Sequence, residues 1–544
     1  MKYLKSFLDS NSKLILGICI AISLGLHIYN FGFPCLNSDE VSFAYNGYSI
    51  AKTGKDEYGA FMPYRFKAFG ENKLPVTIYT IAPLVGIFGL NELTARLPFI
   101  AIGVFAPLLF YWLSLTFFKN RYIGYIAAAL ASVSPWIQIM SRHIHENIIM
   151  LLLASGLLIF FAKLQKQFKW KYVLAISILN VIGLFTYHIG KTLSIYSFIV
   201  LIFILFKEKK SARNVITKSV LIFLVPVFIF LWTEISMPTN RVSNLLFISN
   251  EGFALKIEEL RREHDIRLLH NKLTQSVLVL SHKYLTYFSP ESLVIHGDNN
   301  DRFGFDGISP ITPIEYLLFF IGIYFLFQRK EQHRLLLISF LLMAPLSGAL
   351  SWQDYSITRS FLMIIPILLL ASYGIYHLIH EIHGKYLKLS LIVAVLMIYA
   401  FFQYYSWDYY FFHYQNRPQA ISAWQCGYKA LSAYVKKTYD QTDRYYITKK
   451  IGQPYIFLLF YLQFPPDEYQ KHALRLGGQA LTAPDQYGFG QVEKFDKFTF
   501  SLQSNDEDKS SLYITTSKED EIGNSRKKLE TVSYNDHEIF NIYE

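Results

Sequence analysis

Two acidic residues, Asp39 and Glu40, stand side by side just after the first long apolar run of this 544-residue chain. A carboxylate pair in such a polar stretch can carry acid–base chemistry, or it can simply favour a helix N-terminus, as acidic residues often do. The sequence around it predicts a helix over 38–50, with Ser38 as N-cap and Val41, Ala44, Tyr45 and Tyr48 on one face. Lys73 closes the same polar stretch. Further along, SRHIHEN sets Arg142 and Glu146 four residues apart, the spacing of one helix face. FTYHIGK supplies Tyr187, His188 and Lys191, and YSITRS supplies Arg359. A charge pushed toward a bilayer centre costs about 2.5–3.5 kcal/mol on insertion scales, so such residues usually line a polar cavity. An ordinary interfacial ion pair at a helix end is the competing reading.

Other motifs lead nowhere. The residue four after His145 is Ile149, so HIHEN lacks the HExxH zinc spacing. His377, His380 and His383 step by three and drift around a helix, which suits a solvated helix end better than a metal. The chain has neither a P-loop nor a dinucleotide GxGxxG, so nothing supports ATP-driven transport. Its three cysteines form no CxxC; Cys35 and Cys426 both fall outside in the topology below, which permits a disulfide without requiring one.

The elements that must position these residues are set by composition. Hydrophobic residues make up 52% of the chain and charged residues 17%, below the roughly 25% usual for soluble domains. A membrane protein follows. Apolar runs predict eleven spans near 14–33, 97–118, 122–139, 147–162, 172–189, 192–206, 219–236, 314–328, 335–350, 361–380 and 389–405. The apolar stretch 74–90 is read as interfacial or re-entrant, because counting it would invert everything after it. Nineteen basic residues then fall in the cytoplasmic segments, whereas the three short outer connections hold only Arg142, Lys191 and Arg359. This places the N-terminus in the cytoplasm and the C-terminus outside, and it accounts for much of the net charge of +11 without nucleic acid. All the candidate turns then lie on the side of Asp39.

The predicted organisation is a transmembrane module over 1–405, with outer loops 34–96 and 237–313, followed by an extracytoplasmic α/β domain over 406–544. In the tail an amphipathic helix at about 418–438 precedes alternating strands such as RYYIT and SLYITT. With no clustered catalytic set, the tail is expected to serve acceptor choice or stability. No N-x-Ser/Thr sequon occurs, which leans toward a bacterial cell membrane.

As an ordered set, these residues resemble the GT-C glycosyltransferases of family 39, the group of protein O-mannosyltransferases and lipid A aminoarabinose transferases. The resemblance rests on Asp39-Glu40 after the first span, then IAKTGKDEYG, then Lys73-Leu74-Pro75 in place of the usual KPP. It continues through SPWIQIMSRHIHE, GLFTYHIGK and the Arg359 turn, covering roughly 14–405. It implies a GT-C fold with about eleven spans and transfer of a sugar from a polyprenyl phosphate to an extracytoplasmic protein, glycan or lipid. Asp39 is then the general base for an inverting displacement, with Glu40 as its orienting neighbour or the partner of a basic residue. Lys73, Arg142, Lys191 and Arg359 become the lipid-phosphate ligands, and Glu146, Tyr187 and His188 polar lining of the cavity. No cofactor is implied; a divalent metal stays open, since a Lys/Arg clamp can replace one. The rivals are an aminoarabinose-type transferase acting on a lipid head group, and a non-catalytic flippase or transporter. Transporter sites tend toward the bilayer midplane, whereas these charges collect at one face.

Overall fold

The structure is a computed structural model that describes residues 10–69, 71–207, 213–236, 246–298, 300–304, 308–475, 479–480, 492–503, 510–517 and 526–544. The chain divides into two compact units. One comprises Met1–Phe31 and Phe99–Phe411, the other Gly32–Pro98 and Phe412–Glu544. The sequence reading grouped the first outer loop with the membrane module; by packing, that loop falls with the tail.

The first unit is helical, and every predicted span has its helix. Among the described residues, six helices are long and apolar enough to cross a membrane: Glu92–Phe118, Glu146–Lys166, Ile189–Lys207, Arg213–Ser236, Phe361–Glu381 and Lys385–Asn416. Arg121–Val133 and Pro135–Ser141 form a pair bent by 53° that passes the same test as one span. Pro135 causes the break, because a proline lacks the N–H that would continue the ladder from the preceding turn. Ser12–Ile28, Trp170–Leu184, Pro313–Gln328 and Arg334–Ala349 are shorter apolar helices. Leu221, Phe228, Trp232 and Ile235 on one long helix, and Leu396, Met397, Phe401 and Tyr404 on another, stand exposed. Surfaces this apolar need lipid rather than water, as in a multi-pass membrane protein. Pro313–Gln328 and Ile364–Glu381 meet through small residues: a Cβ on Gly322 would lie 1.9 Å from the Leu370 carbonyl oxygen. Such close approach is how helices associate where no hydrophobic force drives them together.

The second unit is built around an eight-stranded sheet. Its strands are β3 (Arg444–Ile447), β4 (Leu474–Arg475), β5 (Gln479–Ala480), β6 (Val492–Phe495), β7 (Phe498–Thr499), β8 (Ser511–Thr516), β9 (Lys528–Tyr534) and β10 (His537–Tyr543), following the first-loop hairpin of β1 (Phe66–Ala68) and β2 (Glu71–Lys73). The order is β5-β4-β6-β7-β3-β8-β10-β9, with β3 parallel to β7 and β8 and the other pairs antiparallel. RYYIT and SLYITT are therefore strands, as their alternation predicts; the charged run 506–509 lies outside the described residues. The predicted helix 418–438 is two helices, Pro418–Ala423 and Tyr428–Thr438. Gly427 at φ +106° separates them, a backbone that only glycine adopts without strain. Next to it, Cys426 is disulfide-bonded to Cys35, 391 residues away.

Hydrogen bonds knit the first loop to the tail within this unit. The Tyr45 hydroxyl donates to the Phe464 carbonyl at 3.1 Å, and the Gln470 amide donates to the Asp56 carbonyl at 2.8 Å. The Ser38 N–H donates to Gln425 Oε1 at 2.8 Å. The stretch 74–90 forms one helix, Pro75–Phe88, with Pro75 opening it. At about 1.5 Å per residue, a helix of this length falls short of the roughly 30 Å hydrocarbon core.

Candidate active site

Asp39 and Glu40 open the helix Ser38–Thr53. Its N-cap is Asn37 rather than Ser38: the Asn37 side-chain oxygen accepts from the N–H groups of Asp39 and Glu40 at 2.9 and 3.2 Å. Both carboxylates thus sit where a helix end favours negative charge. Consecutive helical residues point about 100° apart, and here that sends them to different surroundings. Glu40 is fully buried and takes two hydrogen bonds from Arg96, from Nε and Nη2, each at 2.9 Å. Arg96 also donates to the carbonyls of Pro34 and Cys35. Asp39 is half exposed, with Lys73 Nζ 3.1 Å from its Oδ1.

Lys73 is buried, and its ammonium also donates to the Asp39 backbone carbonyl at 3.1 Å. It lies over the rings of Phe43 and Phe69, 4.3 and 5.1 Å from their centroids. The two Asp39 contacts use two of its three donors. The sequence makes Glu40 an orienting neighbour or the partner of a basic residue without singling out Arg96, and it gives Glu57 no role. A lone arginine in the apolar run ELTARLPFIAIG was the signal for the first, since a buried guanidinium requires an anion. Glu57, in KDEYG, is buried with Oε1 accepting from Asn46 at 3.2 Å, while Oε2 has no hydrogen-bond partner. Burial pushes its carboxyl up to about 8, with neighbouring Asp56 adding to the rise.

The first unit holds the other candidates. Arg142 and Glu146 do not share a helix face. Arg142 ends the helix Pro135–Ser141, and Glu146 starts Glu146–Lys166 behind His145 as N-cap. The chain leaves the helix between them, and the Arg142 guanidinium reaches the C-terminal end of the first helix. It donates to the carbonyls of Leu26, His27, Tyr29 and Asn30. Its guanidinium carbon also sits 5.1 Å from the Phe411 ring centroid. These contacts make Arg142 a buried helix cap. Glu146 Oε2 lies 3.6 Å from His145 Nδ1, and the His145 ring meets Tyr187 edge-on at 5.6 Å.

Tyr187, His188, Lys191 and Arg359, from two turns far apart in sequence, line one pocket of about 170 Å³, together with Thr192, Leu246 and Ser351. Lys191 pairs with Glu234 at 3.0 Å. The Arg359 Nη1 donates to Gln353 Oε1 at 2.5 Å. The lining thus includes two cations, one of them paired with Glu234, and an imidazole, groups whose chemistry suits an anion. Among the described residues, no group of three or more His, Cys, Asp or Glu side chains has the arrangement to hold a metal ion.

The comparisons agree with this architecture. Residues 72–232 match the family model described as dolichyl-phosphate-mannose-protein mannosyltransferase. ArnT from Cupriavidus metallidurans, solved bound to undecaprenyl phosphate, aligns with a TM-score of 0.52 at 11% identity, over 98% of each chain. The archaeal oligosaccharyltransferase AglB from Archaeoglobus fulgidus, in complex with an inhibitory peptide and a dolichol-phosphate, gives a TM-score of 0.50 at 12% identity. That alignment covers 84% of this chain and 64% of AglB, so the chain spans just under two thirds of that relative's length. A sequence comparison with curated proteins gives no match. The chain has the GT-C fold, and its resemblance to family 39 is borne out.

Proposed function

We propose that this protein is a membrane glycosyltransferase that moves a sugar from a polyprenyl-phosphate donor to an extracytoplasmic acceptor by a single inverting displacement. The convergence of Tyr187, His188, Lys191 and Arg359 on one pocket carries this reading. In it, the two cations hold the donor's phosphate and stabilise the charge that grows on it as the glycosidic bond breaks. Asp39 takes the proton of the acceptor hydroxyl as the acceptor oxygen attacks the anomeric carbon, and the lipid phosphate leaves. Lys73 orients Asp39 through the 3.1 Å pair, and its remaining donor suits an anion. Glu40, neutralised by Arg96, builds the helix start that presents Asp39. Arg142 supports the same reaction by capping the first helix rather than by touching the donor.

Eleven spans with the N-terminus inside complete the proposal, and its support is the basic bias of the inner segments. Transfer from a panel of radiolabelled polyprenyl-phosphate sugars by the purified protein tests it, with the acceptor product identified by mass spectrometry. Label in protein or glycan supports hydroxyl transfer. Label on a lipid phosphate removes the need for a base and reassigns Asp39. Binding of donors without any transfer contradicts the enzymatic reading.

A further inference from the structure

The turn that carries Arg359 is held from outside by residues of the large outer loop, to which no role has been given. Lys283, near the C-terminal end of the helix Lys272–Thr286, is buried. Its ammonium donates to three successive carbonyls, those of Ser351, Trp352 and Gln353, at 3.1, 2.8 and 3.2 Å. Asp354 Oδ1 lies 3.5 Å away and supplies the counter-charge from the exposed side. Gln353 is the residue whose side chain accepts from Arg359. Two residues before Arg359, the Ile357 N–H donates to Asp298 Oδ2 at 2.8 Å, while Asp298 Oδ1 accepts from the Asn300 N–H at 3.0 Å. The Ser356 N–H donates to the Tyr287 hydroxyl at 3.1 Å. Residues 355–358 are buried by these contacts, and Arg359 is left part-exposed at the pocket.

A buried lysine that spends all three donors on backbone carbonyls pays its desolvation without gaining a buried carboxylate in return. Burial accordingly pushes its ammonium below the ordinary lysine range. An apolar residue would fill the space at lower cost if stability were the whole purpose. What Lys283 and Asp298 do that an apolar residue cannot is fix the backbone leading into Arg359, at 351–353 and at 357. We propose that Lys283 and Asp298 are positioning residues, which hold the 351–359 turn so that the Arg359 guanidinium meets the anionic group of a lipid phosphate in the pocket with Lys191. This rests on the donor-binding role assigned to that pocket. The large outer loop then sets affinity for the lipid phosphate without touching it.

The test is a double-mutant cycle read as affinity for undecaprenyl phosphate by the full-length protein in detergent, with thermal stability measured on the same samples. Arg359→Ala should weaken binding about tenfold, the cost of one charge-assisted contact. Lys283→Met should weaken it by a similar factor, Lys283→Arg should restore most of it, and Lys283→Met in the Arg359→Ala background should add almost nothing. Asp298→Asn provides the same comparison if Lys283→Met does not fold. Losses that simply add, or unchanged affinity in folded Lys283→Met or Asp298→Asn protein while Arg359→Ala is weakened, overturn the positioning role and leave the pocket standing. Unchanged affinity in Arg359→Ala overturns both the positioning role and the pocket assignment.

Discussion

Asp39 and Glu40 are neighbours in sequence and opposites in environment, and that contrast decides what each can do. Glu40 has no exposed surface and its charge is balanced by Arg96, so its contribution is to stability. Breaking a buried pair by removing one partner leaves the other charge uncompensated, at a cost of about 3–5 kcal/mol. Glu40→Gln is therefore expected to lower the thermal midpoint sharply, and a change within about 0.5 kcal/mol by denaturant titration would contradict the assignment. Glu57 makes a pH-dependent contribution. Its carboxyl stays protonated in the folded state up to about 8, whereas the unfolded chain ionises near 4.5. The unfolded state thus binds fewer protons across that window, so stability is full below about 4.5 and falls as pH rises toward 8. The loss is bounded by about 5 kcal/mol, since each pH unit is worth about 1.4. Asp56, also raised by burial, adds in the same direction, and Lys73 opposes it. Thermal melts from pH 5 to 8.5 should show this decline, and Glu57→Gln should flatten most of it. A slope unchanged by the substitution would place the titration elsewhere. The types and rough placement of the reactive residues were legible in the sequence. The division of labour was not, because Arg96 reaches Glu40 across 56 residues. Nor do the carbonyls of Leu26, His27, Tyr29 and Asn30, to which Arg142 donates, show in any motif.

At the scale of elements, apolar runs located a helix at each predicted span, and residue alternation located the strands β3 and β8. These signals failed where one residue breaks a continuous pattern. The amphipathic repeat runs through 418–438, yet Gly427 and the crosslinked Cys426 divide it. The Arg142–Glu146 spacing suits one helix, but Pro135–Ser141 ends at Arg142 and a separate helix starts at Glu146. The Cys35–Cys426 bond is the covalent counterpart of the hydrogen bonds between the first loop and the tail. Closing a loop of 391 residues restrains the unfolded chain strongly, and removing such a bond typically costs about 2–5 kcal/mol. Cys35→Ser with Cys426→Ser should melt earlier than the parent by that order and lose its sensitivity to reductant. Equal stability of the two proteins would show that the noncovalent contacts suffice.

For the whole molecule, the division into units groups the first loop, which the sequence places with the membrane module, with the tail. The loop's helix Ser38–Thr53 has little apolar character of its own and packs chiefly against the loop's second helix, Pro75–Phe88, with tail residues completing its surroundings, among them Tyr469, whose ring meets Tyr45 edge-on at 6.2 Å. Topology is open to direct test. Cysteines introduced at Lys55 and Lys119 should be labelled by a membrane-impermeant reagent from opposite sides of the membrane; labelling from the same side would make the 74–90 segment a span. The central claim, that Asp39 activates an acceptor for transfer from a lipid-phosphate donor, is tested most directly by Asp39→Asn. Turnover and donor affinity are measured on one folded preparation. A base acting only in the transition state predicts turnover down by about 10²–10⁴-fold with donor affinity within a factor of about two. Near-normal turnover by folded Asp39→Asn protein would contradict the account.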